Sequence, residues 1–286
     1  SWEISNVDQF ETKVSEGDLK GATLNDLIQQ FKGDFVGESV YKQFGNAFPL
    51  LIKFIDAETP LSIQVHPDDA LSKERHNSFG KNEMWVVMES DEDAELIVGF
   101  NQKITKEDYF NHIKNNTLTT VLNTEKVKKG DVYYIPAGRV HAIGAGVLLA
   151  EIQQTSNVTY RIYDYDRVDP QTGSLRELHT ELALDAINFD LVDEYKTKYN
   201  LNVNATNPLV HSPFFKTNIL KVEGHLSRDY SQLDSFVIYI SLTGTAKIVV
   251  ENETYTLQKG ETILLPATLN TIEIEAENTE IIEVYM

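Results

Sequence analysis

Two imidazoles, one carboxylate and one carboxamide are placed where they could share a metal ion. Gln64 and His66 lie two residues apart in the run Leu61-Ser62-Ile63-Gln64-Val65-His66. That run predicts a strand, whose period of two turns both side chains to one face. Glu83 stands just before a second apolar run, Met84-Trp85-Val86-Val87, and His141 follows Pro136-Ala137-Gly138-Arg139-Val140. As donors, two imidazole nitrogens, a carboxylate and an amide oxygen suit a borderline divalent ion such as Zn²⁺. One negative ligand among neutral ones leaves about one positive charge uncompensated, able to polarise a bound hydroxyl or carbonyl. Any of these residues alone reads as an ordinary core or surface side chain; it is their conjunction that singles them out. His76, His112, His179, His211 and His225 have no such setting and are read as structural.

The elements that must position these donors are short strands. Pro49–Ile55, Ala94–Phe100, Val132–Ile135 and Gly146–Ile152 are further apolar runs at similar spacing, as an all-β sandwich or barrel requires. Between them, Thr105 three residues before Asp108 predicts a helix start, so about 103–126 reads as a helical insertion. Leu178, Leu182, Ile187 and Leu191 recur at near-helical spacing and predict a helical connector over 168–200. Strand patterning returns after it. The segment Lys129-Gly130-Asp131-Val132-Tyr133-Tyr134-Ile135-Pro136-Ala137 is echoed by Lys259-Gly260-Glu261-Thr262-Ile263-Leu264-Leu265-Pro266-Ala267. Together with Gly138 and His141, the first copy resembles the second motif of the cupin superfamily, whose His is a metal ligand. The second copy continues Thr268-Leu269-Asn270-Thr271, without that Gly or His. The fold class expected is therefore mainly β: two cupin (jelly-roll) barrels with a small α-helical insertion and a helical connector. Residues 1–167 would form a metal-binding barrel and 201–286 a second, metal-free one.

Composition narrows the classes further. In 286 residues, 25 Lys+Arg against 44 Asp+Glu give a net charge of −19, which disfavours nucleic acid and anionic membrane surfaces as partners. With no cysteine, disulfides, thiolate sites and Cys nucleophiles are excluded, and a cytoplasmic address is expected. No apolar stretch approaches a membrane span. Ser1-Trp2-Glu3-Ile4-Ser5-Asn6 lacks the marks of a signal peptide and an initiator Met, so the chain reads as short of its N-terminus.

Two further pairs of segments make the resemblance specific. Leu61–Asp69 with Gly80–Trp85, and Pro136–His141 with Gln154–Arg167, resemble the signature segments of type I phosphomannose isomerase. Arg176-Glu177-Leu178-His179 resembles its short bacterial branch. The resemblance implies an aldose–ketose isomerase that interconverts mannose 6-phosphate and fructose 6-phosphate through a cis-enediol. It implies one Zn²⁺ per chain on Gln64, His66, Glu83 and His141. It implies Arg161 and Lys81 as catalytic groups, and Ser62, Lys81 and Arg161 as substrate-binding ones. The competing reading of Lys81 is a solvated turn residue after Gly80; that of Arg161 is an ion pair with Asp164 or Asp166. Lys81, Arg139, Arg161 and the dication would make one electropositive pocket in an acidic shell. Longer members carry a Trp-Met-Gly-x-His segment that Trp2–Asn6 does not reproduce, and a few tens of residues before this point. A monomer or homodimer is expected. The rival functions are a non-catalytic sugar-phosphate-binding cupin and a cupin dioxygenase; Gln64 and the two cations speak against the latter.

Overall fold

A computed structural model describes residues 1–7, 9–251 and 253–286. The chain opens with β1 (Trp2–Ile4) and the helices α1 (Leu24–Phe31), α2 (Gly33–Val36) and α3 (Glu38–Phe44). Next come β2 (Leu50–Ala57), β3 (Ile63–Val65), α4 (Asp69–His76), β4 (Glu83–Ser90) and β5 (Glu95–Phe100). The helical insertion is present as α5 (Lys106–Lys114) and a 3₁₀ turn at Leu118–Val121, and it leads into β6 (Leu122–Lys126). Thr105 and Asp108 form the reciprocal cap that the sequence predicts. β7 (Val132–Ile135), β8 (His141–Ile143), β9 (Val147–Gln154), β10 (Tyr160–Tyr163) and α6 (Thr180–Ala186) follow. The last stretch holds β11 (Asn207–His211), β12 (Lys216–Asp229), β13 (Val237–Ser241), β14 (Thr245–Val250), β15 (Glu253–Gln258), β16 (Thr262–Leu265) and β17 (Thr271–Tyr285).

The chain divides into two compact units, Phe54–Thr197 and Ser1–Lys53 with Lys198–Met286. This differs from a division into 1–167 and 201–286, because the N-terminal helices belong to the unit of the last sheet. Asp234 accepts from the backbone N–H of Glu38 at 2.6 Å and of Ser39 at 2.9 Å, holding the start of α3. Ala267 donates to the Phe35 carbonyl, and the Phe48 and Phe236 rings meet at 4.6 Å. Gly37 permits this approach: its φ is +98°, and a Cβ there would lie 2.5 Å from the Asp234 carbonyl oxygen. In this unit β11-β12-β17-β13-β16 run side by side, with β14 pairing β15 and β17. Its buried carboxylate, Glu283, is met by Arg228, Asn218 and Tyr230, so its charge is compensated.

In Phe54–Thr197 two antiparallel sheets face each other. One contains β9-β4-β7 and the end of β2; the other has the order β10-β3-β8-β5-β6. Trp85, Val87, Tyr133, Ile135 and Leu149 of the first sheet share a core with Leu96, Val98 and Ile143 of the second. The opposite face of the second sheet, with Ile63, Val65, Ala142, Tyr160 and Ile162, packs against Tyr109, Leu118 and Val121 of the insertion and Ala183 of α6. Strand parity therefore sends the alternate residues, Gln64, His141 and Arg161, to the inner face. The connector is mostly irregular, since α6 is its one helix among the described residues. The apolar spacing there did not mark a continuous buried stripe: Ile187 is buried, but Leu178, Leu182 and Leu191 are exposed.

Candidate metal centre

Three inner-face residues stand side by side in the second sheet. Gln64 is the register partner of His141 on one side and of Arg161 on the other. His66 follows one step beyond β3, and its Nδ1 meets the Val158 carbonyl at 3.1 Å. His141 Nδ1 meets the Arg139 carbonyl at 2.8 Å. A carbonyl only accepts, so Nδ1 carries the proton in both rings and Nε2 presents a lone pair. Both Nε2 atoms face Glu83, the first residue of β4: His66 Nε2 is 3.4 Å from Oε2 and His141 Nε2 is 3.3 Å from Oε1.

These four atoms are buried and have no hydrogen-bond partner. The three residues offer ligand atoms within 4.8 Å of one another. Reading the contacts as ion pairs requires charged imidazoles, and burial opposes that. Burial, aided by the Lys81 ammonium, pushes His66 down to about 3, and burial likewise lowers His141. For Glu83, burial pushes the carboxyl up. The Lys81 ammonium is the largest influence in the other direction, and the group is held below the usual carboxylate range. Lone pairs thus face a carboxylate across a dry interior. That arrangement is costly alone and suits a cation seated between them.

Second-layer contacts fix the donors. The Gly80 N–H donates to Asp69 Oδ1 at 2.7 Å. Asn82 donates to Gln154 Oε1 through its backbone N–H at 2.9 Å and its amide at 2.7 Å, and accepts from the Ala137 N–H at 3.0 Å. A Cβ on Gly80 would sit 2.4 Å from the Asp69 nitrogen, so this turn takes only glycine. The turn delivers Lys81, 6% exposed, with Nζ 3.5 Å from Glu83 Oε2. Lys81 is therefore a buried cation and not a solvated turn residue. The Trp85 ring meets His141 edge-on at 5.3 Å while its Nε1 donates to Glu151 Oε2 at 3.2 Å. Sequence reading missed Glu151; a lone acid in the apolar run Val147–Ile152 was its signal.

Ser62 is buried two residues before Gln64. Arg161 makes no ion pair among the described residues, because Arg167 and Arg176 hold Asp164. Its guanidinium Nη1 donates to the Glu177 carbonyl at 2.9 Å, and its Nε is buried without a partner. Arg139, expected among the site's cations, is engaged elsewhere: it stacks over Tyr195 and donates to the Tyr134 carbonyl at 3.1 Å.

A jelly-roll interior that gathers a His–Glu–His group on facing sheets defines a metal-binding cupin. The family model for the type I phosphomannose isomerase catalytic domain matches residues 2–121, and that for the mannose-6-phosphate isomerase cupin domain matches 205–286. Mannose-6-phosphate isomerase of Streptococcus mutans is 34% identical over 96% of this chain and 85% of its own length. A mannose-6-phosphate isomerase of Bacillus subtilis is likewise 34% identical, over the same shares. The crystal structure of mannose 6-phosphate isomerase from Bacillus subtilis superposes with a TM-score of 0.87 at 32% identity, covering 99% of this chain and 88% of that one. A putative mannosephosphate isomerase from Archaeoglobus fulgidus shares the fold, with a TM-score of 0.80 at 21% identity over 99% of this chain and 86% of that one. The chain belongs to the type I phosphomannose isomerase family.

Proposed function

We propose that the chain interconverts mannose 6-phosphate and fructose 6-phosphate with one Zn²⁺ held by Gln64, His66, Glu83 and His141. The observation that carries the metal is the set of four unpartnered, buried atoms facing one another. A bound Zn²⁺ supplies Lewis-acid polarisation of the sugar oxygens. The rest is asked of the chain itself. Moving a proton between C2 and C1 builds negative charge on O1 and O2, and Arg161 is a permanently cationic fork on the inner face beside Gln64. Lys81 sets an ammonium at the same centre, where it holds Glu83 ionised and binds the anionic substrate. Ser62 adds a hydroxyl on the approach to Gln64. The core shared by the two sheets borders this interior and keeps bulk water back, which strengthens each of these charges.

Isomerase names on the relatives across nearly the whole chain speak against a mere sugar-phosphate sensor and against an iron dioxygenase. The deciding experiment couples fructose 6-phosphate formation to a recorded readout, on protein whose metal has been measured. Turnover of mannose 6-phosphate with bound zinc is the expected result. Binding without turnover would favour the sensor, and iron with oxygen uptake the dioxygenase.

A further inference from the structure

We propose that His179 is a positioning residue for Arg161, clamping its backbone so that the guanidinium is held over the sugar oxygens. This rests on the substrate role given to Arg161 above. β10 is the edge strand of its sheet, and Arg161 turns its own polar backbone groups outward, away from β3. His179 takes both. The Arg161 N–H donates to His179 Nδ1 at 3.1 Å, and the His179 N–H donates to the Arg161 carbonyl at 2.7 Å. Two residues earlier, the Glu177 carbonyl accepts from the Arg161 guanidinium at 2.9 Å. One short strap therefore holds both ends of the arginine.

Apart from a tilted ring contact with Tyr160 at 6.3 Å, the imidazole's direct hydrogen bond is to Arg161. His179 occupies the N-cap of α6 but makes no side-chain capping bond there. Since Nδ1 accepts, the ring proton is on Nε2, which lies 4.0 Å from the Glu177 carboxylate. Nor is the strap wedged in place by packing. Leu178 between the two contacts is 45% exposed, and a cavity of about 90 Å³ lies among Ile162, Tyr163, Leu178 and Thr180. The three hydrogen bonds hold it against Arg161, between Arg176 on Asp164 and the Thr180 carbonyl, which accepts from the Tyr109 hydroxyl at 3.3 Å. A reacting group displaced by about 1 Å costs on the order of 100-fold in rate, so a loosened clamp should be visible in turnover.

The test compares His179→Ala, His179→Asn, His179→Gln, Arg161→Ala and the Ala/Ala double variant, each at measured zinc content and melting midpoint. An Asn carbonyl can accept where Nδ1 does; a Gln carboxamide reaches instead to the Nε2 position. With the clamp, His179→Ala lowers kcat for mannose 6-phosphate by about 10- to 100-fold at unchanged zinc. His179→Asn recovers most of it, His179→Gln does not, and the double variant is no slower than Arg161→Ala. Normal turnover in His179→Ala, equal activity of the Asn and Gln variants, or a further loss in the double variant overturns the clamp. Should the alanine variant not fold, the Asn–Gln comparison decides. Normal turnover in Arg161→Ala would remove the substrate role of that arginine and the clamp with it; an impaired Arg161→Ala beside a normal His179→Ala removes the clamp alone.

Discussion

His141 carries more than its share of the centre, because every property that lets it offer a lone pair to a metal comes from a neighbour. The Arg139 carbonyl fixes its tautomer, the Trp85 edge fixes its ring, and burial keeps it uncharged. Truncating it removes one of the lone pairs that face Glu83 and leaves that carboxylate with His66 and Lys81. His141→Ala should therefore drop bound zinc well below the about one per chain expected of a single closed donor set. Elemental analysis after gel filtration checks this, and full zinc retention would remove His141 from the ligands. That His66, Glu83 and His141 come together, with Gln64 beside His141 in the sheet, was legible in the sequence because strand parity and motif spacing are local properties. The tautomers were not legible, because the Val158 carbonyl that orients His66 is brought in from a distant loop.

Elements decide whether those residues meet. The turn Gly80–Asn82 is gripped by Asp69 and Gln154, and a Cβ at Gly80 would strike backbone that cannot yield. Gly80→Ala is expected to cost about 1–3 kcal/mol of stability, by the penalty typical of overpacking, and to reduce turnover by shifting Lys81 and Glu83 together. Urea midpoints and a rate measurement on one preparation test both halves. The base of the loop beyond β10 is closed by Asp164, which binds Arg167 and Arg176. Burial pushes that carboxyl up, but the two guanidiniums outweigh it and hold the group below the carboxylate range. The folded chain therefore releases this proton more readily than the unfolded one, whose value is about 3.9. The stabilisation is complete above about pH 5 and is lost as pH falls through the lowered value. Asp164→Asn should lower stability by about 1–2 kcal/mol at pH 7, with the two guanidiniums about one-third exposed, and the deficit should shrink as pH falls below the carboxylate range in denaturant titrations. The strands of the first barrel could be read because their apolar runs are short and regularly spaced, several of them buried on both faces. The helices between Leu24 and Phe44 and the helix α4 went unread, and the connector was overread. In the connector, Leu178, Leu182 and Leu191 are exposed, and of the expected stripe Ile187 alone is buried.

At the scale of the whole molecule, the division at Lys53 and Thr197 matters more than the division into two barrels. The donors of the metal centre all fall in the continuous unit Phe54–Thr197, whereas the other unit is assembled from both ends of the chain. Closing so long a loop is entropically slow, and folding rate falls with the sequence separation of contacts. During refolding, pulsed hydrogen exchange should find β4 and β9 protected before the helices α1 and α3. Simultaneous protection would contradict separate folding of the units. The capping of α3 by Asp234 has a consequence in time. A ribosome adds about 5–20 residues per second, so the segment Ser1–Lys53 waits on the order of ten seconds or more before Asp234 exists. Throughout that interval the apolar faces of α1 to α3 are open to whatever else is in the cell. This segment is thus sheltered only once a much later one exists, and the helices α1 to α3 are where a holding chaperone would bind.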